Sequence, residues 1–259
     1  MPDSSPHKEF CVLLPAYNHG ATLTSVATDI RKLGYDLLVV NDGSTDATAQ
    51  VLAQLQREEL ANETQLHIIS YEKNRGKGYA LRMGIRRLKE LGYRCAVSID
   101  ADGQHLAQDI DSFVAQAGLS PSALLVGARG MKHTNMPEKN SFANRFSNFW
   151  FALQTGRLLP DTQSGFRLYP IAQIAEMRFL TTRYEWELEV LVRAAWAGVP
   201  IIPIPISVYY PPKNERVTHF RPTWDFLRIT ILNTFFCLAA LCYFYPRSLF
   251  RLLFHRSYP

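Results

Sequence analysis

Cysteine is scarce in this chain: Cys11, Cys95, Cys237 and Cys242 are the only four in 259 residues. None stands in a C-x-x-C pair with a matching Cys or His set, which argues for reduced core thiols over a disulfide framework or a zinc site. His19, His67, His133, His219 and His255 form no ligand spacing either. No G-x-G-x-x-G follows the first apolar run, where the chain reads Pro15-Ala16-Tyr17-Asn18-His19-Gly20. A conventional dinucleotide dehydrogenase is thereby disfavoured. The first nine residues are polar and lack the apolar stretch of a secretory signal, so a disordered N-terminus (residues 1–9) and a cytoplasmic catalytic part are expected. Internal repeats and low-complexity linkers are absent.

A net excess of either charge is missing from residues 1–212, where 21 basic residues balance 21 acidic ones. Of the net +5, the whole excess lies from residue 213 onward, where Lys213, Arg216, Arg221, Arg228, Arg247, Arg251 and Arg256 face only Glu215 and Asp225. These cations are interleaved with apolar residues, a poor fit to nucleic acid. Residues 226–245 are almost uninterruptedly apolar, bordered by Arg228 and containing Asn233. After them comes Pro246-Arg247-Ser248-Leu249-Phe250-Arg251-Leu252-Leu253-Phe254-His255-Arg256, with a terminal Tyr258, the composition of a membrane-surface anchor. A buried C-terminal helix would read similarly. Membrane association of residues 223–259, as one span or an interfacial hairpin, is the expectation.

The body of the chain, residues 10–222, is expected to be one domain. Apolar runs at 10–14, 36–40, 66–70, 94–99 and 123–126 alternate with helical patterns near 21–33, 46–60, 77–91 and 109–117. Such alternation gives βαβ units, and hence a Rossmann-like α/β sandwich with a mostly parallel central sheet. Beyond residue 130 the pattern becomes a polar loop, a helix near 142–156, a loop at 161–165, a helix near 185–198 and an extended stretch at 200–210.

Asp100 and Asp102 carry the most chemical information. The run Cys95-Ala96-Val97-Ser98-Ile99 reads as a buried strand ending in two carboxylates one residue apart, at the sheet edge where open α/β folds bind ligands. In extended chain, residues i and i+2 share a face, so both carboxylates reach one ion, and Gln104 continues the alternation if the chain stays extended. Hard oxygen ligands favour Mg²⁺ or Mn²⁺. An ordinary Asp-Gly turn followed by a capped helix would use the same letters.

Two further loops flank that position. Val40-Asn41-Asp42-Gly43-Ser44-Thr45-Asp46 ends the second strand, with Asp42 placed to accept hydrogen bonds from a base or ribose and Ser44, Thr45 or Asp46 able to cap a helix. Asn74-Arg75-Gly76-Lys77-Gly78 precedes the third helix, where glycines, Arg75 and Lys77 offer donors to phosphate.

Seven segments in order resemble the family 2 glycosyltransferases of GT-A fold, especially dolichol-phosphate mannosyltransferase and related polyprenyl-phosphate glycosyltransferases. They are Leu14-Pro15-Ala16-Tyr17-Asn18, the Asn41-Asp42 and Arg75–Lys77 loops, Asp100-Ala101-Asp102-Gly103-Gln104-His105, Gly127-Ala128-Arg129, Asp161-Thr162-Gln163-Ser164-Gly165-Phe166-Arg167, and Tyr184-Glu185-Trp186-Glu187. The resemblance implies that Pro15, Tyr17, Asn18 and Asp42 line a nucleoside site. It implies a Mg²⁺ or Mn²⁺ site at Asp100, Asp102 and Gln104, and phosphate contacts from Arg129 and Arg145. Asn41 and Asn18 stand where many members carry Asp and Glu, which leaves the base, GDP or UDP, open.

The implied activity is inverting transfer of a sugar from a nucleotide-sugar donor to a lipid phosphate at the cytoplasmic membrane face. An anionic phosphate acceptor needs no general base, whereas a hydroxyl acceptor would need a carboxylate in reach, with Asp161, Glu185 and Glu187 as candidates. Glu185 and Glu189 share one helical face and Glu187 turns away, which is also the pattern of a solvated stripe. Arg167 is expected to pair with one of these acids or with phosphate. A non-catalytic nucleotide-binding membrane module is the reading from another class.

Overall fold

A computed structural model of the chain describes residues 9–58, 64–129, 138–209 and 222–254, without the side chains of 138–142, 222 and 251–254. Residues 1–8, most of the expected disordered N-terminus, the polar loop at 130–137, and the basic residues Lys213, Arg216, Arg221 and Arg256 lie outside it. Glu9 is already ordered: its carboxylate pairs with Arg94 at 2.7 Å.

Seven strands form one sheet: β1 (Phe10–Ala16), β2 (Asp36–Asp42), β3 (Leu66–Tyr71), β4 (Cys95–Ser98), β5 (Leu124–Ala128), β6 (Arg167–Pro170) and β7 (Ile201–Pro205), in spatial order β3-β2-β1-β4-β6-β5-β7. All neighbours are parallel except that β6 runs antiparallel to both β4 and β5. The mostly parallel α/β sandwich expected from the alternating pattern is what forms. The antiparallel β6 was not foreseen.

Strand periodicity divides the core into two layers. Val12, Leu14, Leu37 and Val39 face one way, onto α1 (Leu23–Lys32), α2 (Thr48–Glu58) and α4 (Ile110–Leu119), while Cys11, Leu13, Leu38 and Val40 face α3 (Lys77–Glu90) and α7 (Trp186–Trp196). All four cysteines are free, but only Cys11 and Cys95 are buried core thiols; Cys237 is half-buried and Cys242 exposed, against the expectation for all four. α3 crosses β1 so closely that a Cβ on Gly84 would stand 2.3 Å from a Leu13 methyl.

Prolines fall where the ladder does not need an N–H. The Leu13 carbonyl accepts from Ile99 N–H, so alternation aims Pro15 at the β4 side, past the last pair of that ladder, Leu13 with Ser98. In β7, Ile206 N–H donates to Ala128 O and Pro200 O accepts from Leu124 N–H. The same alternation turns Pro203 and Pro205 to the open edge of the sheet.

The C-terminal part is one continuous helical run, α8 (Pro222–Ala239), a π turn (Ala240–Phe244) and α9 (Tyr245–Phe254). Pro246 follows the π turn, where the widened spiral absorbs the missing N–H. Among the described residues, 223–250 form a helix long and apolar enough to cross a membrane. α5 (Glu138–Thr155) runs beside it, and Gln154 donates to Asn233 Oδ1 at 2.9 Å.

Candidate active site

Three loops at the C-terminal ends of β1, β2 and β3 knit together before any ligand is considered. Asn18 sits at a φ of +55°, its N–H donating to Ser44 Oγ at 3.0 Å and its Oδ1 accepting from Thr45 N–H at 2.7 Å. Asn41 Oδ1 accepts from Ser44 N–H, and Asp46 takes the N–H groups of Gly20 and Thr48. Pro15 is buried at the end of β1 and Tyr17 half-buried just beyond it. Asp42 is buried, with its two oxygens accepting from Arg75 N–H at 2.8 Å and Gly76 N–H at 2.7 Å. That carboxylate therefore shapes the β3–α3 loop. Gly76 is required there: its φ is +104°, and a Cβ would lie 2.6 Å from Thr182 O. Arg75 is held over the rings of Tyr71 and Tyr79 and donates to the Tyr79 hydroxyl at 2.7 Å.

That loop also delivers Lys77, at the start of α3, to the acidic centre. Its Nζ lies 2.6 Å from Asp100 Oδ1 and 3.1 Å from Glu187 Oε1. The three groups are packed under Gly165, where a Cβ would come within 2.6 Å of Asp100 Oδ2 and 2.7 Å of Lys77 Nζ. Burial by itself would lower the lysine's proton affinity, but the two carboxylates reverse that and hold it well above the usual lysine range. Likewise burial pushes Asp100 up, yet Lys77 outweighs it and leaves the carboxyl below its ordinary value.

β4 ends at Ser98, so Asp100 and Asp102 stand beyond the strand, and the chain turns at Asp102 and Gly103 instead of staying extended. Asp102 Oδ1 accepts from Gln104 N–H at 3.0 Å, an Asx turn with Gly103 at a φ of +73°. Strand alternation therefore does not set Gln104, whose carbonyl instead accepts from Tyr209 N–H at 2.8 Å. Burial, reinforced by the Asp100 charge, pushes Asp102 up to about 6. His105 packs on Phe166 with ring centres 5.3 Å apart, and burial takes it down to about 4, so it is neutral at pH 7.

The remaining predicted residues divide. Asp161, fully buried, accepts from Arg129 Nε at 2.7 Å and Nη2 at 3.0 Å, from the Arg129 N–H, and from the N–H groups of Gln163 and Ser164. It is a clamp that fixes Arg129 at the end of β5. Arg167 pairs with no acid among the described residues. Its fully buried guanidinium donates to the carbonyls of Ser164, Thr162 and Glu187. Arg145 is exposed on α5. The acids of α7 form no solvated stripe, since Glu185, Glu187 and Glu189 are all buried. Glu189 accepts from the N–H groups of Leu180 and Thr181 and from Arg193 Nε, which secures the turn before α7.

The pairing of Lys77 with Asp100 and Glu187 was missed by sequence reading. One signal was available: Trp186-Glu187-Leu188-Glu189-Val190-Leu191-Val192 is apolar around most of its circumference, and acids on such a helix must find buried partners.

Chemically, two carboxylates without a third His, Cys, Asp or Glu in a cluster suit a hard cation that keeps waters and takes its other ligands from substrate phosphate. Among the described residues, the donor set fits Mg²⁺ or Mn²⁺. Asp102, raised by burial and then by the Asp100 charge, is the group such a cation would relieve.

The mostly parallel sheet with one reversed strand is of GT-A kind. The crystal structure of glucosyl-3-phosphoglycerate synthase from Mycobacterium tuberculosis in complex with Mn²⁺, uridine diphosphate and glucosyl-3-phosphoglycerate superposes with a TM-score of 0.55 at 20% identity, covering 90% of this chain and 78% of that one. The UDP-N-acetylglucosamine--dolichyl-phosphate N-acetylglucosaminyltransferase of Methanococcus voltae is 29% identical over 213 residues, 77% of this chain and 85% of that protein. The dolichyl-phosphate beta-glucosyltransferase of Saccharomyces cerevisiae is 27% identical, over 80% of this chain and 70% of its own length. Residues 11–171 match the family described as Glycosyl transferase family 2. Since that match runs from β1 through β6 and takes in the loops around Asp42, Lys77, Asp100 and Arg129, the chain belongs to glycosyl transferase family 2 and is a hexosyltransferase.

Proposed function

We propose that this enzyme moves a hexose from a nucleoside diphosphate sugar, UDP- or GDP-linked, to a polyprenyl phosphate of the dolichyl type, inverting the anomeric carbon, with its α/β domain on the cytoplasmic membrane face. The observation that carries the reading is the placement of Asp100 and Asp102 just beyond the end of β4, with Lys77 of the β3–α3 loop 2.6 Å from Asp100 and the Asp100 charge acting on Asp102. The dolichyl-phosphate transferases among its relatives supply the acceptor class.

The bound Mg²⁺ or Mn²⁺ would supply positive charge against the anion that develops on the departing diphosphate. Asp100 and Asp102 would hold it, with Gln104 beside them. Pro15, Tyr17, Asn18 and the Asp42-anchored loop would enclose the nucleoside. Lys77 and Arg129 would supply cations to the donor phosphates, and Arg145, exposed on α5, would meet the acceptor phosphate. Arg167 serves as a buried strut of the 161–167 loop. Asp161 is saturated by five hydrogen bonds and Glu187 is paired to Lys77, so neither is free to act as a base. Of the three candidate bases that leaves Glu185, buried just before α7, and an acceptor already ionised at neutral pH needs no base at all.

Membrane attachment falls to the C-terminal helix. Its polar face turns inward: Asn233 bonds Gln154, and Asp225 is buried. Ile231, Leu238 and Leu241 are about six-tenths exposed, the inverse of a soluble helix. Contacts along its length, Trp196 against Phe236 and Phe244 and the Tyr245 hydroxyl donating to Leu153 O at 2.7 Å, fasten it sideways to the domain. A helix bound along its flank lies in the interface, with the domain, and does not leave it to cross the bilayer.

The test is transfer from radiolabelled UDP- and GDP-sugars into polyprenyl phosphate, with and without EDTA. Expected is an EDTA-sensitive lipid product whose sugar is released by mild acid, as a glycosyl phosphodiester is. Metal-independent transfer, or an acid-stable glycoside, would overturn the metal or the acceptor respectively.

A further inference from the structure

Lys77 occupies the position of a resident counter-cation. Its Nζ is 2.6 Å from Asp100 Oδ1, closer than to Glu187, and both lie under Gly165, whose missing Cβ is what leaves space for the pair. All three side chains are mostly buried, so water screens their interaction little. A divalent ion approaching Asp100 therefore meets an ammonium already bound to the same oxygen. The two cations repel, and Asp100 cannot serve both at full strength.

We propose that Lys77 is a gate on the metal site: it competes with the divalent ion for Asp100, and the donor's diphosphate opens the gate by drawing the ammonium to itself. Glu187 is the positioning residue that retains Lys77 when Asp100 is surrendered. The metal alone then binds weakly and binds tightly together with a nucleoside diphosphate. By linkage the metal raises nucleotide affinity by the same factor. The device discourages occupation of Asp100 by an ion with no donor to activate. It rests on the metal reading above and adds an order to it.

Mn²⁺ binding to the full-length protein is measured by electron paramagnetic resonance of the free ion and by calorimetry, alone and with UDP or GDP, with no turnover required. Lys77→Met is expected to bind Mn²⁺ alone roughly tenfold or more tighter than wild type, since a repelling charge beside the ligand is gone. Its gain in Mn²⁺ affinity on adding nucleotide should shrink by a similar factor. Glu187→Gln acts oppositely, leaning Lys77 wholly on Asp100: Mn²⁺ alone binds several-fold more weakly, and nucleotide recovers more of the loss than in wild type. Because Lys77→Met strands two buried carboxylates and is the variant at risk of misfolding, its circular dichroism is compared with wild type, and Glu187→Gln carries the test if it has unfolded. Wild type binding Mn²⁺ with nucleotide while a folded Lys77→Met binds Mn²⁺ alone no better, or Glu187→Gln binds it no worse, overturns the gate and leaves the metal reading standing. Mn²⁺ binding by no form, with or without nucleotide, overturns both.

Discussion

Single side chains here divide into those that would touch substrate and those that hold them. Asp102 belongs to the first group: it stands beyond β4 on a turn, its proton affinity raised by burial and by Asp100. Replacing it with Asn keeps the shape and the oxygen that accepts from Gln104 N–H. Asp102→Asn is expected to cost roughly a hundred- to a thousandfold in transfer, the loss from removing one group that meets developing charge, with an unchanged thermal midpoint. A variant retaining most activity would remove the metal from this account. Asp161 belongs to the second group. Asp161→Ala removes the carboxylate that holds the Arg129 guanidinium and two loop N–H groups, and urea unfolding should show a loss of about 3 kcal/mol, typical of breaking one side of a buried pair. A loss below about 1 kcal/mol would make the clamp ornamental. The clamp itself was not visible in the sequence, where Asp161 reads as a candidate base. Only the fold brings residue 161 to the end of β5, and a loop Asp carries no periodicity that reveals its partner.

At the scale of elements, legibility follows length and periodicity. The βαβ part, residues 10–128, was readable because every strand is a short apolar run and every helix is amphipathic. β6 was not. It has four residues, begins with a buried arginine, and owes its place between β4 and β5 to pairing on both sides. β7 carries two prolines, which argue against a strand until its position at the sheet edge is known. The reading of Gln104 failed for a local reason: it extended a strand through an Asp-Gly turn. The packing of α3 on β1 gives a sharp test of close approach. Ala has the higher helix propensity, by about 1 kcal/mol over Gly, and Gly84 is in the middle of α3. A methyl there would stand 2.3 Å from Leu13 Cδ1, however, and Leu13 is fully buried. Overpacking costs about 1–3 kcal/mol, so Gly84→Ala should lower stability despite its propensity gain. A stabilised variant in denaturant titration would show that the helix can shift on the sheet. Gly92, with nothing near its Cβ position but a φ of +86°, should resist Ala for backbone reasons alone.

For the molecule as a whole, the question is how the α/β sandwich would meet the lipid acceptor proposed for it. The C-terminal helix is anchored on one side by Leu232, Phe236 and Ala240, which are buried among α5 and α7 residues, and exposes Ile231, Phe235, Leu238 and Leu241 on the other. α5 adds Phe149 and Leu153, about half exposed, next to the Gln154–Asn233 contact. On the proposed function, an apolar face of this kind, built from two helices of which one belongs to the α/β domain, would set the domain against the membrane and bring the acceptor phosphate to its surface. In proteoliposomes, an epitope placed after residue 259 should then be cleaved by the same external protease that reaches the domain. Protection of the epitope while the domain is digested would mean that the helix crosses. Ile231→Glu with Leu238→Glu puts two charges on the exposed face without touching the buried one. Each charge opposes burial in the interface, so the double variant should float with anionic vesicles at least tenfold less than wild type while unfolding at the same temperature. If it floats as well as wild type, the helix meets something other than lipid, and the route by which the acceptor reaches Asp100 must be sought elsewhere on the surface.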